Sequence, residues 1–159
     1  MPSYTRRDRT LRERKHDPYR AQRKPRSPAA CRDCGVVYHS GRWERPTLGV
    51  EIEATELCPS CQRVRERNPA GILTLEGDFL RSHRDEILGL IKNLEARRVV
   101  DHPLQRIMSA SDDSEGMRVE TTDFHLARAL GDALRAAYGG DLKYHYEKEG
   151  SLLRVHWVR

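Results

Sequence analysis

Nowhere in the 159 residues is there a run of about 18 apolar side chains, so a membrane-crossing helix is excluded. The opening stretch, MPSYTRRDRTLRERKHDPYR, lacks the apolar middle of a secretory leader, which leads us to expect a cytoplasmic protein. Hydrophobic residues are scarce, at 37% against 33% charged, which argues against one large apolar core. Catalytic signatures are missing too. There is no P-loop, no GxGxxG, no nucleophile elbow and no Ser-His-Asp order. A zinc-dependent nucleotide deaminase would need a His-x-Glu beside its cysteines, and none is there. The expectation is a protein that is not an enzyme, with no membrane partner and no small-molecule substrate identified from the sequence.

What is present is charge, and it is unevenly placed. Residues 1–30 carry ten Lys/Arg and three Asp/Glu, a net of +7. The whole chain is +5, so residues 31–159 sum to −2. The basic side chains are Arg6, Arg7, Arg9, Arg12, Arg14, Lys15, Arg20, Arg23, Lys24 and Arg26. Tyr4 and Tyr19 are interleaved with them and are suited to stacking on unpaired bases. Leu11 is the only large aliphatic side chain after Met1, and Pro2, Pro18, Pro25 and Pro28 interrupt any long helix. A short helix over Thr5–Lys15 would have nothing to bury. The segment reads as an arm, disordered when free and ordered on a polyanion. A solvated tail without a specific partner is the competing reading.

The cysteines number four, in two pairs, Cys31-Arg-Asp-Cys34 and Cys58-Pro-Ser-Cys61. Each CxxC turn offers two thiolates from one tight corner, and two such corners close a tetrahedral zinc site. Gly35, directly after Cys34, suits the strained backbone of a zinc knuckle. Disulfides are disfavoured in the expected compartment. Neither pair lies in the βαβ setting of a thioredoxin-like redox site, and neither is followed by the His of a haem attachment site. Four thiolates leave no open position, so the expected cofactor is one structural Zn²⁺ per chain, held by Cys31, Cys34, Cys58 and Cys61. Short strands are expected at Val36–Tyr38, Gly41–Trp43 and Val50–Ile52. A basic helix is expected over Gln62–Arg67, limited by Pro69.

The expected organisation is a basic arm (1–30), a zinc ribbon (31–69) and an α+β domain (70–159). Within the last, a strand holds Ile72, Leu73 and Leu75. Asp78 caps a helix reaching about Arg98, with Leu80, Ile87, Ile91 and Leu94 in helical register. A hairpin pairs Leu104–Ser109 with Met117–Thr121. Thr122 or Asp123 caps a second helix that Gly139-Gly140 ends. Two alternating strands close the chain. The order β-α-β-β-α-β-β is close to the ferredoxin-like pattern.

Of the histidines, His39 is a weak substitute ligand, His83 a helix residue and His125 with Asp123 a weak dyad. His145 and His156 lie on strands and could pair across one face. Arg42, Arg45, Arg63, Arg65 and Arg67 form a second basic group around the ribbon. Arg42 and Arg63 are expected to join the arm as RNA contacts. Trp43, inside this group, is read both as ribbon core and as a stacking platform.

The CxxCG and CPxC turns, Phe124-His-Leu-Ala-Arg-Ala-Leu-Gly131, Ala137-Tyr-Gly-Gly140 and Arg154-Val-His-Trp-Val-Arg159 together resemble a small bacterial family of zinc-ribbon proteins. That family resembles the N-terminal part of the archaeal and eukaryotic large-subunit export adaptor, the Nmd-three protein. The first likeness spans the chain, and the second rests on the knuckles, the following strand and the His-Leu-Ala…Tyr-Gly-Gly helix. The resemblance implies a ribosome-associated, zinc-containing protein docking on ribosomal RNA, with the four cysteines as ligands. A hibernation or assembly factor on the large subunit or 70S ribosome follows as the leading expectation. The alternatives are a zinc-ribbon protein-interaction adaptor and a DNA-binding regulator.

Overall fold

The computed structural model describes residue 19, residues 24–147 and residues 151–159. The expected Thr5–Lys15 helix lies outside them. The described residues form two sheets and four helices. The smaller sheet builds the ribbon from four three-residue strands in the order β3-β2-β1-β4. These are β1 (Ala29–Cys31), β2 (Val37–His39), β3 (Arg42–Glu44) and β4 (Ala54–Glu56). β1 pairs antiparallel with β2 and parallel with β4.

Two expectations change here. Ala29 and Ala30 belong to the ribbon's central strand and not to an arm ending at residue 30. Alanine carries no strand signal of its own, and both of β1's partners lie later in the chain. The strand expected at Val50–Ile52 is irregular; pairing begins at Ala54, and Ile52 is exposed. Its alternation suggested a buried face where none exists.

The second CxxC turn opens α1 (Pro59–Glu66), which stops at Arg67 in left-handed backbone, two residues before Pro69. β5 (Gly71–Glu76) then enters the larger sheet. The single helix expected from Asp78 to Arg98 is two. α2 (Asp78–Ser82) has Gly77, not Asp78, at its N-cap and no side-chain cap; it ends at His83, and α3 (Arg84–Asp101) continues beyond it. The His83 ring stacks on Phe79 at 3.9 Å between centroids. The break is in the backbone, where His83 takes φ −124° and ψ 24° between the two helices, and the side-chain periodicity does not reveal it.

The hairpin is β6 (Ile107–Asp112) and β7 (Gly116–Thr121), so its first strand starts three residues later than expected. Residues 104–106 are engaged elsewhere, as described below. α4 (Phe124–Tyr138) is capped by the Asp123 carboxylate, which accepts from the N–H groups of His125 and Leu126. Gly139 ends it with φ 72°. β8 (Asp141–Tyr146) and β9 (Leu153–Val158) complete the sheet.

The expected β-α-β-β-α-β-β order is therefore present, with the first helix divided. The sheet order is β6-β7-β5-β9-β8. It departs from a ferredoxin-like sheet in one respect. The last strand, β9, lies between β5 and β8, parallel to β5 and antiparallel to β8. Leu73, Leu75, Met117, Val119, Leu153, Val155 and Trp157 face the helices and are buried. They meet Ile87 and Ile91 of α3 and Leu126, Leu130 and Leu134 of α4. The Trp157 indole N–H donates to the Gly139 carbonyl at 2.8 Å, which ties β9 to the end of α4.

Candidate metal centre

The first cysteine pair sits where β1 turns back toward β2. Cys31 ends β1, and the Gly35 N–H donates to the Cys31 carbonyl at 2.9 Å. Gly35 has φ 80°, the backbone region that glycine enters without a Cβ clash. The second pair is built by a helix start. Cys58 is the N-cap of α1, Pro59 fills the first turn, and Cys61 lies one turn on. The Cys61 N–H donates to the Cys58 sulfur at 3.4 Å, and the Cys58 N–H to the Cys31 sulfur at 3.3 Å. The backbone thus holds the sulfurs in place before any ion is considered.

All four sulfurs lie within 4.8 Å of one another, and Cys34 Sγ is 3.7 Å from Cys58 Sγ. A tetrahedral ion with metal–sulfur bonds of about 2.3 Å needs sulfur–sulfur edges of about 3.8 Å. Cys31, Cys58 and Cys61 are buried, and Cys34 is exposed. The four are free thiols with no disulfide among them.

As protonatable groups they are in conflict. Burial raises Cys34 to about 11, and the neighbouring Cys61 and Cys31 add to this. Burial also raises Cys58, with the charges of Cys34 and Cys31 pushing the same way. Cys31 is drawn down to about 6: burial opposes the shift, but backbone N–H groups of Cys58, Cys34 and Asp33 outweigh it. A divalent cation removes the conflict by stabilising all four thiolates together. The donor set and its spacing suit one metal ion.

The surroundings add two features that the sequence did not point to. The first is Arg106, whose Nη2 donates to the Cys61 sulfur at 3.1 Å from 45 residues away. Four thiolates around a divalent ion leave a net charge of −2, and this guanidinium stands against it. Its backbone is held at both ends by Thr122: the Arg106 N–H donates to Thr122 Oγ1 at 2.9 Å, and the Thr122 N–H donates to the Arg106 carbonyl at 2.9 Å. The second is Leu104, which packs on the cysteine cluster together with Trp43 and Leu57. Its carbonyl accepts from the Ser60 hydroxyl in α1 and, at 2.6 Å, from Thr122 Oγ1. The loop between α3 and β6 therefore docks the α+β domain on the ribbon. The first knuckle is tied to α1 by the Asp33 carboxylate, which accepts from Arg65 at 2.7 and 2.6 Å.

The expected RNA contacts divide into four groups. Tyr4, Arg6, Arg7, Arg9, Arg12, Arg14, Lys15, Arg20 and Arg23 lie outside the described residues. Lys24, Arg26 and Arg42 are exposed, Arg42 with its Nε 3.4 Å from a Glu44 carboxylate oxygen. Tyr19 and Arg63 turn inward, contrary to the expectation that they offer an RNA-contacting surface. Arg63 is 3% exposed, and its guanidinium lies 4.3 Å above the Tyr19 ring. The Tyr19 hydroxyl donates to Glu66 and accepts from the Asn68 amide at 2.7 Å. A planar cation on an aromatic face, with the hydroxyl end paired, is a packing arrangement. Trp43 is half-buried against the cysteine cluster and 5.3 Å from Tyr38, which makes it ribbon core. His39 faces Ser40 and Glu44, not the cysteines.

Among the described residues no helix is long and apolar enough to cross a membrane. The chain matches no protein-family model and no curated protein.

Proposed function

We propose that the cysteine site holds one structural zinc ion and that the protein binds RNA, with the ribosome as its partner. Zinc is the natural occupant of four cysteine sulfurs at tetrahedral spacing, and four thiolates leave no position for a substrate or an activated water. The observation that carries the RNA reading is the concentration of ten Lys/Arg in the first thirty residues. Tyr19 anchors the root of that segment on α1 of the ribbon. Lys24, Arg26, Arg42, Arg45 and Arg67 are exposed on or beside the same small domain. Phosphate neutralisation by such a surface supplies affinity without sequence reading. The likeness to the bacterial zinc-ribbon family, and through it to the export adaptor, is the ground for naming ribosomal RNA. A role on the large subunit or the 70S ribosome, in hibernation or in assembly, follows.

Sedimentation of tagged protein from growing and starved cells, at low and high salt, tests this. Co-migration with 50S or 70S particles that is lost as salt rises is the expected result. Protein that stays at the top of the gradient in every condition overturns it. One observation favours the adaptor reading instead: Leu48 is fully exposed and Ile52 is exposed, both in the loop between β3 and β4. Salt-resistant association that survives nuclease treatment would establish that reading.

A further inference from the structure

A groove of about 480 Å³ opens where the C-terminal turn of α3 meets the first turns of α4. Arg98 and His102 line it from one side, and His125 and Arg128 from the other. Arg98 has no acidic partner among the described residues. Asp132, at the same groove, already accepts a hydrogen bond from Tyr144. Arg128 is positioned by the Tyr146 hydroxyl at 3.2 Å and by the Tyr144 ring, whose centroid is 5.3 Å away. What the groove offers is therefore the Arg98 guanidinium, the remaining donors of the pre-positioned Arg128, and two imidazoles, of which His125 packs on the Phe124 ring at 4.0 Å between centroids.

Gln105 also lines the groove. It is 8% exposed, and its Oε1 has no hydrogen-bond partner among the described residues. A buried amide oxygen left unpaired is unfavourable; this one is covered by protein atoms, so it marks strain in the wall of the groove and not a contact offered to a ligand. Arg106 and Leu104, in the same short loop, are held by the cysteine cluster. His102 and Gln105 thus stand on a segment braced by the metal site, which fixes the groove before a ligand arrives.

We propose that this groove binds a nucleotide unit. The two arginines would take the phosphate in the bidentate manner that guanidinium forks favour. The imidazoles supply stacking surfaces and ring N–H donors. A groove of this volume lies within the range of small-ligand sites. The unit could be free or part of an RNA strand; in the second case the inference rests on the RNA-binding function proposed above.

The test uses the full, zinc-loaded chain and two probes, adenosine monophosphate and a single-stranded adenosine pentanucleotide RNA. Amide and side-chain NMR resonances of His102, Gln105 and His125 are followed during titration. The double variant Arg98→Gln/Arg128→Gln is compared with wild type and with Lys143→Gln, an exposed site on β8 that serves as a control. Both probes are expected to move the groove resonances, and the double variant to weaken monophosphate binding by about tenfold or more. Shifts with the RNA alone would mean that the unit is taken from a strand, and would still support the site. Groove resonances unmoved by either probe, or equal affinity in the double variant, would overturn it. If the RNA then still bound elsewhere on the chain, the proposed RNA function would stand without the groove. If it bound nowhere, the groove would fall and the sedimentation experiment would decide the RNA function separately.

Discussion

Replacing Arg106 by Gln removes the guanidinium that donates to the Cys61 sulfur at 3.1 Å. The perturbation is confined to the side chain, because Thr122 pairs with the backbone N–H and carbonyl of the same residue. A hydrogen bond to a charged partner contributes about 1.5–3 kcal/mol. At about 1.4 kcal/mol per tenfold, this is roughly a 10- to 150-fold loss in metal affinity. The range agrees with the 10- to 100-fold typical of groups that hydrogen-bond metal ligands. The assay is competition between the protein and a chromophoric chelator for zinc, run on wild type, Arg106→Gln and Arg106→Lys. Lysine keeps the positive charge but loses the planar fork, so an intermediate affinity is expected. Wild-type affinity in Arg106→Gln would refute the claim that this residue compensates the thiolate charge.

Two further outcomes follow from the same geometry. Cys58 is both a ligand candidate and the N-cap of α1, so Cys58→Ser should reduce metal from about one equivalent per chain toward zero and unfold the ribbon. The α+β domain should keep a cooperative thermal transition, since its core draws on different residues; full metal retention by elemental analysis would contradict the site. Tyr19→Phe removes the hydroxyl shared by Glu66 and Asn68 and should destabilise the docking of this residue by about 1–2 kcal/mol. Faster limited proteolysis next to residues 19–28 is the readout, and an unchanged rate would show that the hydroxyl contacts contribute nothing.

The metal-site ligands were legible because their signal is local. Two CxxC turns state the donor number, and no other residue is needed to complete the set. The same holds for α4. Its apolar stripe, the Asp123 cap and the Gly139 stop all lie within one short stretch of chain. The core strands could be read for a related reason: alternation in Leu153, Val155 and Trp157 reports a half-buried sheet whatever their neighbours are. The hairpin's position was less well specified, because residues 104–106 have partners in the ribbon that no local pattern announces.

What the sequence alone determined is thus the chemistry available and the faces that must be buried: four thiols, a basic terminal segment, and the apolar stripes of two helices and a sheet. Tertiary structure decided which of these meet. It set β9 between β5 and β8, because either order satisfies the same alternation and only the closure of the sheet selects one. It turned Arg63 and Tyr19 from candidate RNA contacts into a packed pair, because a cation and an aromatic ring carry no label for surface or interior. It brought Arg106 to Cys61 across 45 residues, because charge compensation acts through space and leaves no periodicity in the chain.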